Sequence, residues 1–185
     1  MSKKKQLIVM MGGPGVGKGT ISQMMMDTHP YRHIEAGAML RSQPADSQIG
    51  KLISVGDLVP DELACNLIAP ELTGKDDIIL DGFPRTLGQA QWLVKNYADK
   101  YQIHVINLFA DEEILIARIN KRLNSGSTRA DDKSIGIIRH RLENFNNITI
   151  PAVNWMRNAP NICFYDIDAG TNPDKIYTEI DQRLN

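Results

Sequence analysis

The run Gly12-Gly13-Pro14-Gly15-Val16-Gly17-Lys18-Gly19-Thr20 starts directly after the apolar segment Leu7 to Met11 and leads into Ile21 to Asp27, a stretch able to form a helix. A strand, a glycine-rich turn of the form GxxxxGK and a helix, in that order, build a cradle for phosphate. Glycines let the backbone curl so that successive N–H groups point at one anion, and the helix behind them adds the positive end of its dipole. Lys18 brings a full charge to the same place. Most such loops follow the lysine with a Ser or Thr whose hydroxyl binds magnesium; here Gly19 holds that position and Thr20 comes one residue later. Thr20 is therefore a second-choice metal ligand, and a carboxylate acting through water must do more of the work. Asp81 is the candidate. It ends the apolar run Ile78 to Leu80, and parallel strands finish on one edge of a sheet.

Outward from the cradle, apolar runs recur at Leu7 to Met11, Ile78 to Leu80, Ile103 to Phe109 and Ile162 to Ile167, separated by segments long enough for helices. Helical spacing appears in Leu87, Ala90, Leu93, Val94 and Tyr97, in Leu115, Ile119 and Leu123, and in Ile176, Ile180 and Leu184. Thr171 or Asn172 can cap the last of these, with Pro173 in its first turn. Strands alternating with helices predict an α/β fold whose mostly parallel sheet is covered on both faces, with ligands at the carboxyl ends of the strands. Between Ile34 and Leu72 no strong strand appears, and Gly37, Gly50, Gly56 and Pro60 punctuate what reads as several short helices in a side lobe. Leu123 to Asp132 is polar and reads as an exposed loop.

Composition narrows the function classes. The 21 Lys and Arg nearly balance the 22 Asp and Glu, so no global basic field exists to hold nucleic acid. Cys65 and Cys163 are far apart and form no CxxC or Cys/His cluster, which predicts neither a disulfide framework nor structural zinc and suits a reducing cytosol. Lys3, Lys4 and Lys5 precede an apolar run too short for a signal core or a membrane span. His29, His33, His104 and His140 fall in no catalytic or metal-ligand spacing and read as surface or packing residues.

Basic charge is instead local. Between residues 118 and 142, Arg118, Lys121, Arg122, Arg129, Lys133, Arg139 and Arg141 face only Asp131 and Asp132. Arg118 and Arg122, spaced i, i+4, repel each other unless an anion lies between them. Arginines beside a polar loop suit a lid that closes on a phosphoryl group and excludes water. A further arginine, Arg85, is held by the loop Asp81-Gly82-Phe83-Pro84-Arg85-Thr86 near the strand edge that carries Lys18, where its fork can grip a second phosphate.

Taken together these segments resemble the adenylate kinase family of nucleoside monophosphate kinases, over nearly the whole chain. The matching pieces are GGPGVGKGT at 12–20, IEAGAMLR at 34–41, GDLVPDEL at 56–63, DGFPRTLGQA at 81–90, RINKR at 118–122, RADD at 129–132, HRL at 140–142 and IDAGTNP at 167–173. The resemblance implies a P-loop NTPase fold in one kinase domain over 1–185, with a monophosphate-binding lobe at about 35–64 and a short, zinc-free lid at about 122–132. It implies ATP on Gly13, Gly15, Val16, Gly17, Lys18, Gly19 and Thr20, with Arg118 and Arg122 on the nucleotide and Gly170 and Thr171 beside its base. Asp81 would organise magnesium-bound water. AMP would meet Ala36, Gly37, Arg41, Arg85 and Gly82, the main chain of Asp57, Leu58 and Val59, and Gln89, which would read the adenine edge. Arg129 and Arg141 would bridge toward the acceptor phosphate. Lys18, Asp81, Arg85, Arg122, Arg129 and Arg141 form the expected catalytic set.

The expected activity is reversible, magnesium-dependent phosphoryl transfer from ATP to AMP, giving two ADP, in a cytoplasmic monomer without nucleic-acid or membrane partners. One departure matters. The family usually reads Ser-Thr-Gly-Asp where this chain has Glu35-Ala36-Gly37-Ala38, which removes a hydroxyl and a carboxylate from the acceptor lobe and predicts weaker discrimination there. A kinase for another nucleoside monophosphate is the nearest alternative. A nucleotide-dependent regulatory module is the other, but Asn120-Lys121-Arg122-Leu123 lacks the aspartate of a guanine-reading NKxD segment.

Overall fold

The computed structural model describes residues 4–124 and 135–184, with the backbone alone for 122–124 and 135. Five parallel strands form one sheet in the order β2-β3-β1-β4-β5: β1 (Lys5–Met11), β2 (Arg32–Glu35), β3 (Ile78–Asp81), β4 (Tyr101–Phe109) and β5 (Ile162–Asp168). The strand β1 lies at the centre because every residue from Ile8 to Met11 is apolar, as a strand covered on both faces requires. Its side chains divide by the two-residue period of a strand. Leu7, Val9 and Met11 enter one core layer, together with Ile78, Leu80, Ile103 and Val105; Ile8 and Met10 enter the other, with Ile79, Ile106 and Leu108.

Four strands are those expected. The fifth, β2, falls at the start of the region read as strandless, because Arg32-His33-Ile34-Glu35 offers one buried apolar residue among charged and polar ones, the composition of an edge strand. Beyond it the short helices appear as read: α2 (Ala36–Arg41), α3 (Gln48–Ser54), capped by the Ser47 hydroxyl, and α4 (Asp61–Ile68), followed by a 3-10 turn at Ala69–Glu71.

Helices cover both faces. On one face α1 (Lys18–Thr28) packs on α9 (Pro173–Leu184), burying Ile21 and Met25 against Ile176 and Ile180. On the other, α5 (Leu87–Tyr97) packs against α4 and against α8 (Ile150–Arg157), with Ala90, Leu93, Val94 and Tyr97 inward at i, i+3, i+4 and i+7. Leu87, read with that stripe, is instead exposed in the first turn. Asn172 is the cap of α9: its Oδ1 accepts the Asp174 N–H at 2.7 Å. The third expected helix, α6 (Glu112–Asn124), extends past Leu123, where the loop was expected to begin, and the rest of that loop lies outside the described residues. Between α6 and β5, where no periodic pattern marks an element, lie α7 (Ile135–Asn144), a π turn at Phe145–Thr149, and α8.

Candidate active site

Parallel register delivers the strand ends to one edge. Met10 pairs with Asp81 and Asp81 with Glu35, so the cradle after β1, the Asp81 carboxylate and Glu35 open onto the same side. A cleft of about 650 Å3 lies there, lined by residues 12–20, Glu35, Gly37, Asp81, Gly82, Arg85, Arg118 and Arg141.

The cradle is fixed by close packing from behind. Gly12 has φ 135° and its Cα faces the Leu108 carbonyl, so no side chain fits; a Cβ on Gly15 would meet Ile119 Cγ1 at 2.9 Å and the Leu115 carbonyl at 2.9 Å. Here α6 serves as a backstop. Gly17, at φ 102°, ends the turn and starts α1. Lys18 folds over the loop, its ammonium donating to the Gly12 and Gly13 carbonyls at 2.7 and 3.3 Å. Arg118, on α6, donates to the Val16 carbonyl at 3.2 Å and to the Ala169 carbonyl at 2.8 Å, tying the cradle to the β5–α9 connection that contains Gly170 and Thr171. On that side the cleft wall is completed by Pro173 and Ile176. Thr20 lies on the cleft in the first turn of α1, and Asp81 is 4% exposed at its floor.

Across the cleft, Arg85 is anchored through its own loop: its Nε donates to the Gly82 carbonyl at 2.9 Å, and its backbone N–H donates to Gln89 Oε1 at 2.8 Å. Gln89, 3% exposed, has its amide held at both ends, because Nε2 donates to Asp61 Oδ1 at 3.0 Å. The same carboxylate oxygen accepts the Thr86 hydroxyl at 2.6 Å, and Thr86 in turn caps α5 by accepting the Gln89 N–H. Gln89 forms one wall of a smaller recess of about 40 Å3, with Ala36, Asp57, Leu58, Val59, Gly82 and Arg85 around it. Arg41, at the end of α2, reaches back over Gly37 to pair with Glu35 at 2.7 Å.

The structure thus gathers Gly13, Gly15, Val16, Gly17, Lys18, Gly19, Thr20, Gly37, Asp81, Gly82, Arg85, Arg118 and Arg141 round one cleft, with Gln89, Ala36 and Asp57–Val59 round its annex. The backbone of Arg122 is in α6, while its side chain and the whole of Arg129 lie outside the described residues.

Some participants carry no signal in sequence. Asp61 belongs to the family-like segment at 56–63, in which only the main chain of Asp57 to Val59 was expected at the site, yet its carboxylate holds the Gln89 amide. Phe145, in the π turn, places its ring within 3.3 Å of the Cβ position of Gly13 and lines the cleft, and such turns recur at functional sites. His140, read as a bland residue, makes a 2.7 Å contact with Asp57, and Asn144 donates to the Gly56 carbonyl at 3.1 Å, so α7 is joined to the loop after α3. Spacing cannot reveal such contacts, since 83 residues separate His140 from Asp57.

Comparison with known proteins agrees with this arrangement. The adenylate kinase family model matches residues 10–160, from the end of β1 to just past α8. An adenylate kinase of Bacteroides thetaiotaomicron is 35% identical over 82% of this chain and 84% of its own length, and one of Phocaeicola vulgatus is 37% identical over the same shares. An adenylate kinase of Elusimicrobium minutum is 30% identical over 97% of this chain and 98% of its own. With a family model spanning most of its length and relatives aligned nearly end to end, the chain belongs to the adenylate kinase family.

Proposed function

We propose that the chain catalyses reversible, magnesium-dependent transfer of the terminal phosphoryl group of ATP to AMP, giving two ADP. The observation that carries this reading is that Lys18, at the start of α1, and Arg85, on the loop after β3, line one continuous cleft of about 650 Å3 together with the glycine cradle, Arg118 and Arg141. Transfer of this kind needs alignment and charge neutralisation rather than a protein nucleophile. The glycine cradle and Lys18 hold the donor phosphates, and Arg118 adds charge from α6. Arg41 and Arg85 hold the acceptor phosphate, with Arg141 bridging; Arg122 and Arg129 complete the set from the lid. Gly170 and Thr171 border the donor base. Gln89 reads the acceptor base, because its amide can donate to adenine N1 once its orientation is fixed by Asp61.

The residues fit magnesium. Asp81 and Thr20 offer oxygen donors on the cleft, and among the described residues no group of three or more His, Cys, Asp or Glu side chains converges as a dedicated cage. A hard cation that keeps most of its waters and rides in on the nucleotide matches that donor set. When bound it neutralises charge on the transferred group. Asp81 would orient its water shell.

AMP is the preferred acceptor in this reading, with discrimination reduced by Ala36 and Ala38. The chain acts as a monomer in the cytoplasm. The test is an assay of purified protein with ATP and a panel of AMP, GMP, CMP, UMP, dAMP and water. AMP should give the fastest ADP production and water a negligible one. Equal rates with AMP and water would remove the transferase reading in favour of a slow hydrolase.

A further inference from the structure

Glu35 and Arg41 frame the first and last positions of α2. Glu35 ends β2 in register with Asp81, which places it at the strand edge where phosphate is to be held. Arg41 lies six residues on, and its guanidinium returns across the helix: a Cβ on Gly37 would stand 3.0 Å from its Nη1. The two side chains meet through Arg41 Nη2 and Glu35 Oε1 at 2.7 Å, and are 24% and 32% exposed, Arg41 first. Arg85 is close by, since a Cβ on Gly82 would lie 3.4 Å from Arg85 Nη2 and 3.7 Å from the Gly37 nitrogen. A carboxylate therefore occupies part of the Arg41 guanidinium fork beside Gly37 and Arg85, which with Glu35 line the cleft.

We propose that Glu35 is a built-in counter-anion for Arg41 that the acceptor's phosphate must displace, so that this residue sets the affinity of the acceptor site. The inference rests on the assignment of Arg41 to the acceptor phosphate made above. Carboxylate and phosphate seek the same planar fork of donors, and the fork cannot satisfy both fully. A partly buried pair is screened less than a surface one, so the competition survives physiological salt. The same exchange runs backward at release: as the product phosphate leaves, Glu35 reclaims the guanidinium and lowers the barrier to departure.

Glu35→Gln keeps the shape and removes the charge. Titration of AMP in the absence of ATP should give a Kd about five- to tenfold lower than in the parent, the range expected when one charged competitor is removed. Glu35→Ala should shift it in the same direction. KM for ATP should stay within about twofold, because the donor cradle is not altered. In an Arg41→Ala background, Glu35→Gln should give no tightening, since the contested group is gone. A Kd for AMP that is unchanged or raised in both single variants would overturn the proposal and leave Glu35 as a support for Arg41. Tighter AMP binding with no phosphoryl transfer in any variant would remove the transferase reading and leave the role of Glu35 intact; transfer without tightening would do the reverse.

Discussion

In the reading proposed above, the donor side of the cleft has Lys18 and Arg118 on backbone carbonyls, of Gly12, Gly13, Val16 and Ala169, whereas on the acceptor side Arg85 lies on the Gly82 carbonyl and Arg41 on the Glu35 carboxylate. Carbonyls are neutral and immobile. They hold a cation in place without contesting the anion it is meant to meet. A carboxylate cancels charge as well as holding position, which under the proposal makes Arg41 the contested cation of the acceptor side. The backbone differs as well: the cradle is wedged against α6 and β4, while α2 and α3 are short helices that pack on each other and lay Ala36, Met39, Leu40, Ile49 and Ile53 on the main core. Under the proposal, a close-packed cradle on one side and an exchangeable ion pair on the other would let one substrate be held while the other is exchanged.

The sharpest way to break this contrast is to remove one cation from each end. Lys18→Met should lower kcat by at least about a hundredfold, the scale of losing one preorganised donor to the transferred group. Arg85→Ala should raise KM for AMP by about ten- to a hundredfold, the worth of a charge-assisted fork, and move KM for ATP by no more than about threefold. Steady-state kinetics with each substrate varied in turn separates the two. Equal weakening of ATP and AMP by Arg85→Ala would mean that the cleft has no distinct acceptor end.

The two ends also differed in how far they could be read from the chain alone. The glycine cradle is a local object: strand, glycine turn, lysine and helix are consecutive, so the strand–turn–helix over residues 7–27 and its place at the strand edge were legible in the sequence. Asp81 and Arg85 followed from the rule that parallel strands end together. The acceptor end is assembled from β2, α2, the loop after α3, α4 and α5, and its key contacts are between residues far apart in sequence. The resemblance pointed to Gln89, which lines the smaller recess, but nothing in the sequence pointed to the Asp61 carboxylate that holds its amide from 28 residues upstream. The loss of hydroxyl and carboxylate at Ala36 and Ala38 was visible, but the charge gained at Glu35 became meaningful only when Arg41 was seen to turn back onto it. β2 was missed because an edge strand with one buried residue has no periodicity to detect.

A subtler break concerns base reading. Gln89→Leu should lower the preference for AMP over CMP by about five- to tenfold, the worth of one neutral hydrogen bond left unmade. Asp61→Ala should produce a similar loss of preference while leaving Gln89 in place, because the amide loses the acceptor that fixes which end faces the recess. In the Gln89→Leu background Asp61→Ala should change the ranking no further. If Asp61→Ala lowers thermal stability and leaves the acceptor ranking untouched, Asp61 is a cap for the start of α4 and α5 and has no part in specificity.

The smallest expected effect lies beneath the rigid end. His104 alternates with Ile103 and Val105 along β4 and so shares the face of Ile106 and Leu108, in the layer that supports α1 and the cradle. It is 3% exposed, its ring stacks on Tyr165 at 6.1 Å, and neither ring nitrogen has a hydrogen-bond partner among the described residues. Burial holds its pKa below the ordinary 6.5, because the charged form would lose its hydration with nothing in return. The native state therefore binds fewer protons at this residue than the unfolded chain does. Its contribution to stability is complete above about pH 6.5 and declines as the pH falls from there toward the depressed folded value. His104→Leu, which fills a similar volume without polar atoms, should raise stability by about 1 kcal/mol at pH 7 and by more at pH 5, flattening the acid side of the stability profile. Urea unfolding at pH 5, 6, 7 and 8 measures both. An unaltered pH slope would show that the acid sensitivity of this layer comes from another group, and the rigidity of the cradle would then owe nothing to keeping His104 neutral.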